Sequence, residues 1–203
     1  MSTSKNTAIV LIDVYNDFIH PKGKMYAALE ASLVERDTIK HIQDLVAAAR
    51  QHRVPIYYGL HQPYTPKAFD GWSHMQAVHE TQKESKGFEE GSWGAKILEG
   101  LEPDYENGDV VFNKHWTSSS FQNTDLDFLL RQRDITKVVI AGLTANNCVE
   151  ATARYAYDLG YDVTLLSDAT ASWSIEQTKA ATDLIWPLFS KKVTTVNDYI
   201  ASL

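Results

Sequence analysis

Short apolar runs alternate along this chain with longer segments in which apolar residues recur every three to four positions. Nearly continuous apolar runs are typical of strands buried on both faces. They lie at residues 8–13, 54–60, 108–114, 137–143 and 161–169, and a short run at 192–195 predicts an edge strand. Helical spacing covers residues 35–52, 125–133, the segment ending at Gly160, and 175–189. This alternation predicts one α/β domain over residues 1–203: a doubly wound, mainly parallel sheet of about six strands, in the order 3-2-1-4-5-6, with helices on both faces.

Local signals indicate where some of these helices begin and end. Thr124 with Asp127 three residues later resembles a capping box that opens the helix at 125–133. Gly160 is a favourable C-terminal stop for the helix before it. Pro187 has no backbone N–H, so we expect the last helix to be interrupted or kinked there.

The segment from His61 to Asn107 has no clear period. It carries Trp72, Trp93 and three histidines. A segment of this length inside a compact domain is usually a lid, an oligomer contact or a decorated loop. We predict that residues 61–107 form a lid or insertion within the single domain.

The composition limits which binding partners and which cellular compartment we expect for this protein. Of the 203 residues 44% are hydrophobic and 22% charged, and the formal net charge is −7, which disfavours binding to nucleic acid or to an anionic membrane surface. The sequence shows no signal-like start and no apolar stretch long enough to cross a bilayer. A single cysteine cannot form an internal disulfide, which indicates a reducing compartment. We therefore expect a cytoplasmic protein whose partner is a small-molecule substrate.

Three reactive side chains follow predicted strands. Asp13 closes the first strand, Lys114 follows the third, and Cys148 lies a short turn after the fourth. Ligands of open parallel sheets bind beyond the carboxyl ends of the strands, where the strand order reverses. The predicted topology therefore delivers an acid, an amine and a thiol to one edge of the sheet.

Each of the three residues also has a purely structural interpretation. A lone cysteine is often a small buried hydrophobe, an aspartate at a strand end often caps a turn, and a lysine there is usually solvated. Sheet geometry alone leaves the structural and the catalytic interpretations open.

The expected surroundings of Cys148 add to the catalytic interpretation. In the first turn of a helix, unpaired amides lower the pKa of a thiol, and a cation such as Lys114 would lower it further. The same amides could hold the oxygen of a tetrahedral intermediate. Asp13 could take the thiol proton and return it to a leaving amine.

Three blocks of sequence carry a family resemblance. They are LIDVYNDF at 11–18, FNKHWTSSSFQNTDL at 112–126 and GLTANNCVEATARYAYDLGYDVTLLSDA at 142–169. In this order and spacing they resemble the isochorismatase-like cysteine hydrolases, the group that includes nicotinamidase and N-carbamoylsarcosine amidohydrolase. The resemblance extends from Thr7 to about Val196. It implies that Asp13 is the catalytic acid, Lys114 the catalytic lysine and Cys148 the nucleophile.

The resemblance also implies an oxyanion hole. The peptide bond between Leu143 and Thr144 should be cis without proline, so that the Thr144 amide turns toward the substrate and acts together with the Cys148 amide. Thr144 and Ala145 stand where many relatives have Ala and Thr, which is a departure from the family pattern.

The metal-binding pattern of nicotinamidases is missing. Those relatives carry an Asp-x-His pair after the second strand, where this chain reads LHQPY at 60–64. His61, His74 and His79 could bind zinc, but their spacing follows no zinc motif. We predict no metal and no cofactor, and this departure disfavours nicotinamidase activity.

Several side chains near the expected site suit a small, flat substrate. His115 could hydrogen-bond such a substrate, and core packing is the alternative for some of the aromatic residues. The residues predicted to bind substrate are Tyr15, Phe18, His61, Trp116, Asn147 and Trp173.

Together these features predict a cysteine hydrolase that cleaves a C–N bond of a small amide, carbamoyl or ureido compound through a thioester. The alternatives are an isochorismatase-type vinyl-ether hydrolase and a non-catalytic interaction module. A dinucleotide-binding enzyme is disfavoured because no G-x-G-x-x-G follows the first strand. Since relatives assemble as dimers or tetramers, we also expect a homo-oligomer.

Overall fold

A six-stranded parallel sheet forms the centre of the protein. The computed structural model describes residues 6–203. The strands are β1 (Thr7–Ile12), β2 (Ile56–Gly59), β3 (Val110–Val111), β4 (Lys137–Leu143), β5 (Asp162–Ala171) and β6 (Lys192–Thr194). Their spatial order is β3-β2-β1-β4-β5-β6, and neighbouring strands are parallel throughout. The predicted α/β class and strand order are confirmed.

Helices pack on both faces of this sheet. They are α1 (Asn16–Ile19), α2 (Tyr26–Glu35), α3 (Thr38–Gln51), α4 (Ala77–Ser85), α5 (Leu126–Arg131), α6 (Glu150–Asp158), α7 (Ile175–Lys179) and α8 (Val196–Ile200). A 3₁₀ turn covers Tyr105–Asn107, and a π-helical turn, Ala145–Val149, leads from β4 into α6.

The central strand β1 shows why the sheet needs two covering layers. Every residue of β1 is buried. Successive side chains of a strand point to opposite faces. Ile9 and Leu11 therefore join one core with α2, α3 and α8, whereas Ala8, Val10 and Ile12 join the other core with α5 and α6. An apolar run without polar alternation is thus explained by burial on both sides.

Two helix starts differ from the sequence-based expectation. The helix predicted at 35–52 begins at Thr38, because Glu35 ends α2 and Asp37, with a φ of 50°, breaks the chain direction. The predicted capping box is wrong: Thr124 Oγ1 accepts from the Leu126 amide at 3.3 Å, but the Asp127 carboxylate binds Arg131 and the Tyr161 hydroxyl, each at 2.9 Å, instead of reaching back.

The helix predicted at 175–189 changes its pitch along its length. α7 continues into a π-helical turn, Ala180–Ile185, and then into a 3₁₀ turn, Trp186–Leu188, which holds Pro187. Because proline cannot donate a backbone hydrogen bond, the regular α-helical ladder does not extend through it. The predicted interruption is confirmed, as is the stop at Gly160, whose φ is 88°.

The segment at 61–107 is mostly irregular apart from α4 and the 3₁₀ turn. Two bridges tie it to the rest of the protein: Tyr15 pairs with Ile97, and His61 pairs with His115. Helix α4 thereby comes to lie over the carboxyl ends of the strands, where it forms one wall of the main cavity. Among residues 6–203, no helix combines the length and apolar character that crossing a bilayer requires.

Candidate active site

Asp13 and Cys148 meet at the carboxyl ends of the two central strands. Asp13 directly follows β1, and Cys148 lies in the π-helical turn after β4. These strands are hydrogen-bonded neighbours, so the residues that follow them are brought together. Both side chains line a cavity of about 270 Å³, although only 1% of Asp13 and 6% of Cys148 is exposed.

The chain holds Asp13 in a fixed conformation. Its φ is 50°, a left-handed value that is uncommon for residues other than glycine. Its amide donates to the Gly59 carbonyl at 2.8 Å, and its Oδ1 accepts from the His61 amide at 2.7 Å. Oδ2 is buried and has no aligned donor among the described residues, so it is open to accept a proton from the cavity.

The Cys148 thiol has a pKa well above its ordinary value. Burial is the main cause. The Asp13 carboxylate raises the pKa further, both through its negative charge and as a nearby hydrogen-bond acceptor. The thiol and Asp13 are close enough for this effect, although they fall short of a well-aligned hydrogen bond. The backbone amides of Thr144 and Cys148 act in the opposite direction. The expectation of a lowered pKa is therefore wrong: burial and the Asp13 carboxylate favour the neutral thiol of Cys148.

The amides that act on the sulfur belong to the residues expected for the oxyanion hole. The peptide bond between Leu143 and Thr144 is cis without proline, at the position that the family resemblance gave. Leu143 is wholly buried at the end of β4, and Thr144 lines the cavity beside Cys148. The backbone N–H groups of Thr144 and Cys148 thus lie near the Cys148 sulfur, within the cavity wall.

Lys114 does not join this pair. Its side chain is half-buried and does not line the cavity, and burial lowers the pKa of its ammonium. The carboxylate that acts on this ammonium is Glu90, not Asp13. The next residue along the chain, His115, lies beside Asp13 instead. Its Nε2 is 3.2 Å from Asp13 Oδ1, and both side chains are buried.

The residues predicted to bind substrate divide into two groups. Phe18, His61, Asn147 and Trp173 line the cavity. Tyr15 does not: its ring stacks on Phe88 at 4.5 Å between centroids, and its hydroxyl donates to the His61 carbonyl at 2.7 Å.

Trp116 also lies outside the cavity. It is 37% exposed, and its ring packs against Trp72 at an angle of 51°, with 5.2 Å between the ring centroids. Trp116 lies in an irregular loop after β3, and the sequence pattern did not predict which side chains of that loop would be exposed.

Sequence reasoning missed the wall that the segment at 61–107 contributes. Ala77, Val78, Thr81, Gln82 and Ser85 of α4 line the cavity, followed by Gly87 and Phe88. The one sequence signal was the spacing of Val78 and Gln82 on a single helix face, which is too short a pattern to identify a helix.

The three candidate metal-binding histidines do not converge. His74 is exposed. His79 uses both ring nitrogens: Nδ1 accepts from the Gln76 amide at 3.0 Å, and Nε2 bonds to the Trp116 carbonyl at 2.9 Å. Across residues 6–203, no group of three or more His, Cys, Asp or Glu side chains is arranged to hold a metal ion.

Comparisons with known proteins agree with this fold. The model of the isochorismatase domain matches residues 7–198. The ureidoacrylate amidohydrolase RutB of Agrobacterium fabrum (strain C58 / ATCC 33970) is 30% identical over 203 residues, which cover 95% of this chain and 88% of that protein.

Solved structures give the same result. A cysteine hydrolase from Pseudomonas syringae pv. phaseolicola 1448A is 26% identical, with a TM-score of 0.76 over 98% of this chain and 92% of that one. N-carbamoylsarcosine amidase from Thermoplasma acidophilum shares the fold, with 23% identity and a TM-score of 0.65 over 96% of each chain. The match over nearly the whole length shows that this chain belongs to the isochorismatase family of hydrolases.

Proposed function

We propose that the protein is a cysteine hydrolase that cleaves a C–N bond of a small amide, carbamoyl or ureido compound. The observation that carries the proposal is the placement of the Cys148 thiol and the Asp13 carboxylate together in a cavity of about 270 Å³. Such a volume suits a small molecule. The names of its amidohydrolase and amidase relatives support the same reaction class.

Acylation begins with the neutral thiol. Asp13 takes the proton of Cys148 as the sulfur attacks the carbonyl carbon, so that no free thiolate has to accumulate. The amides of Thr144 and Cys148 hold the oxygen that becomes negatively charged. Asp13 then gives the proton to the nitrogen, the C–N bond breaks, and ammonia or an amine leaves a thioester on Cys148.

Deacylation uses the same groups in reverse. Asp13 takes a proton from a water molecule as the water oxygen attacks the thioester carbon, and the C–S bond breaks. The proton returns to the sulfur, which restores the neutral thiol and releases the acid product. Each step uses side chains and amides that surround the cavity.

The test is ammonia release from a panel of small amides and ureas. Removing a nucleophile that forms a covalent intermediate costs about 10⁴-fold or more in kcat. We expect Cys148→Ala and Cys148→Ser to lose activity to this extent while keeping the wild-type unfolding midpoint. Full activity in Cys148→Ala would overturn the proposal. Pyruvate release from isochorismate by that variant would instead favour the vinyl-ether alternative, which needs the acid more than the thiol.

A further inference from the structure

Lys114 and His115 are neighbours in an extended stretch of chain. The His115 amide donates to the Leu60 carbonyl at 3.0 Å, and the Gln62 amide donates to the His115 carbonyl at 2.9 Å. Consecutive side chains of an extended chain point to opposite sides. Only one of the two residues can therefore face Asp13, and the structure gives that place to His115.

The hydrogen bonds of the His115 ring indicate its charge. Nδ1 lies 2.6 Å from the Thr117 carbonyl oxygen, an acceptor, so Nδ1 carries a proton. Nε2 lies 3.2 Å from Asp13 Oδ1, which is also an acceptor, at an angle that falls short of a well-aligned hydrogen bond. A neutral ring would hold its Nε2 lone pair beside a carboxylate oxygen, whereas a ring protonated on both nitrogens would hold a positive charge there.

We infer that His115, as an imidazolium, is the positioning residue that keeps Asp13 ionised and oriented, in the place where the sequence pattern predicted Lys114. This inference rests on the proposed function. His115 does not line the cavity, so it acts on the reaction through Asp13. The proposed reaction of this protein then depends on an imidazolium, which loses its charge at a lower pH than a lysine ammonium would.

The charges around His115 agree with this assignment. Burial lowers its pKa, but the charge of Asp13 and the hydrogen bonds to Asp13 and Thr117 outweigh burial, so that the pKa is raised overall. His61 packs against it with 5.1 Å between ring centroids, and burial together with the His115 charge lowers the pKa of His61 to about 4. His61 is therefore neutral beside a charged His115. The other titratable groups that interact with this cluster are the Cys148 thiol, the Tyr15 hydroxyl and His79.

An NMR titration of the full-length protein tests the charge without using activity. We expect the His115 ring to be protonated at pH 7 and to titrate above the ordinary histidine value of about 6.5. Asp13→Asn should lower that pKa by more than about one unit, because burial then acts without the carboxylate. A His115 ring that is neutral at pH 7, or unchanged in Asp13→Asn, would overturn the inference.

Kinetics test the role. Activity should fall as pH rises through the His115 titration, and His115→Gln should lose about 100-fold or more in kcat/KM at an unchanged unfolding midpoint. His115→Lys should regain activity and extend it to higher pH, and Lys114→Gln should stay near wild type. Loss of activity in Lys114→Gln with a wild-type pH profile in His115→Gln would contradict the assignment. If no amide is hydrolysed at all, the proposed function fails, but the NMR titration still decides the charge.

Two buried acceptors in the cavity wall carry a second inference, which also rests on the proposed function. His61 Nδ1 lies 3.0 Å from the Gln62 carbonyl, so the proton of the neutral ring is on Nδ1 and Nε2 is an acceptor. Gln82 Nε2 donates to the Gln62 and Gly87 carbonyls at 2.6 and 3.3 Å, which leaves Oε1 as an acceptor. Both acceptor atoms are buried without a partner among the described residues, and both side chains line the cavity.

We infer that the substrate is an uncharged molecule that donates N–H groups to His61 Nε2 and Gln82 Oε1. A buried acceptor without a donor is costly, and an amide or ureido nitrogen supplies the missing hydrogens. Among residues 6–203, no lysine or arginine lines this cavity, and the carboxyl group in its wall is that of Asp13. An anionic substrate would therefore meet this carboxyl group and two lone pairs, while the His115 ring lies beside Asp13 outside the cavity lining.

Calorimetric binding to Cys148→Ala tests this without turnover. Matched probes are butanamide, N,N-dimethylbutanamide, which has no N–H, and succinamate, which replaces the methyl group by a carboxylate. We expect butanamide to bind at least about tenfold more tightly than either, roughly the value of one hydrogen bond. Adding Gln82→Met should remove the preference over the dimethyl compound, whereas the control Lys83→Met, an exposed position of α4 that does not line the cavity, should keep it. Equal affinity for succinamate, or an unchanged preference in Gln82→Met, would overturn the inference.

Discussion

At the scale of single residues, Cys148 differs most from its sequence-based description. The position of Cys148 after a strand predicted its place in the site, but not the state of its thiol. A helix start and a nearby lysine would both lower the pKa. In the structure, burial and the Asp13 charge raise it instead. Burial and the identity of the nearest charge depend on the whole fold, so no local pattern contains them.

Labelling with iodoacetamide checks this thiol state. A thiol with a raised pKa holds little thiolate at pH 7, so labelling of the wild type should be slow there and should accelerate as pH rises. Asp13→Asn removes the charge that raises the pKa. We therefore expect faster labelling at pH 7 in this variant although it no longer hydrolyses substrate. Fast labelling of the wild type at pH 7, with no gain in Asp13→Asn, would contradict the raised pKa.

The choice between Lys114 and His115 shows a second limit at the residue scale. A shift of one residue moves every side chain of an extended segment to the opposite side. The apolar run at 108–114 did not fix this register, because only Val110–Val111 forms a strand and the chain beyond it is irregular. The sequence therefore indicated a basic residue at this strand end but not which one faces Asp13.

At the scale of elements, the buried strands were the most predictable. The bounds of β4 match the predicted run, and β1 differs by one residue at each end. Long apolar runs between turn residues have few alternatives in a chain of this size. Helices α2 and α4 were not predicted, because their apolar residues form only a short or broken helical pattern. Because α4 was not predicted, the cavity wall that it forms was not predicted either.

The contact between β1 and β4 predicts a specific sensitivity to mutation. Gly142 has a φ of 112°, and a Cβ there would lie 2.1 Å from the Ile12 carbonyl oxygen. Gly142→Ala should therefore cost more than about 3 kcal/mol of unfolding free energy, because both backbone strain and a clash oppose it.

Gly160→Ala is the matched control. Gly160 has a φ of 88°, but nothing lies within 4 Å of the position that an added methyl group would occupy, so only the backbone conformation opposes the change. We expect a cost of about 1 kcal/mol, measured by urea denaturation. Equal stability of the two variants would show that β1 and β4 do not approach so closely.

At the scale of the whole molecule, the alternation of strands and helices determined the architecture. Parallel strands joined by helices leave few topologies, and the central position of β1 and β4 places the residues after them at one edge. This is why Asp13 and Cys148 could be paired from sequence alone. The cavity between them and α4 depends on an irregular segment, and its side chains could not be predicted in the same way.

The homo-oligomer stays a prediction. Several large apolar side chains are exposed on the described part of the chain, among them Leu184 at 68% and Leu188 at 78%. Exposed apolar groups that lie close together are typical of surfaces that bind another protein. Static light scattering should therefore give a mass of at least twice 22.8 kDa. A particle of 22.8 kDa at micromolar concentration would contradict the expectation.

The central claim is that Cys148 carries the acyl group of the substrate during turnover. The most direct measurement is acid quenching within the first turnover, followed by digestion and mass spectrometry of the peptide that contains Cys148. We predict that this peptide gains the mass of the acyl group, and that the gain decays as the acid product appears. Product formed in the first turnover while the Cys148 peptide stays unmodified would contradict the account.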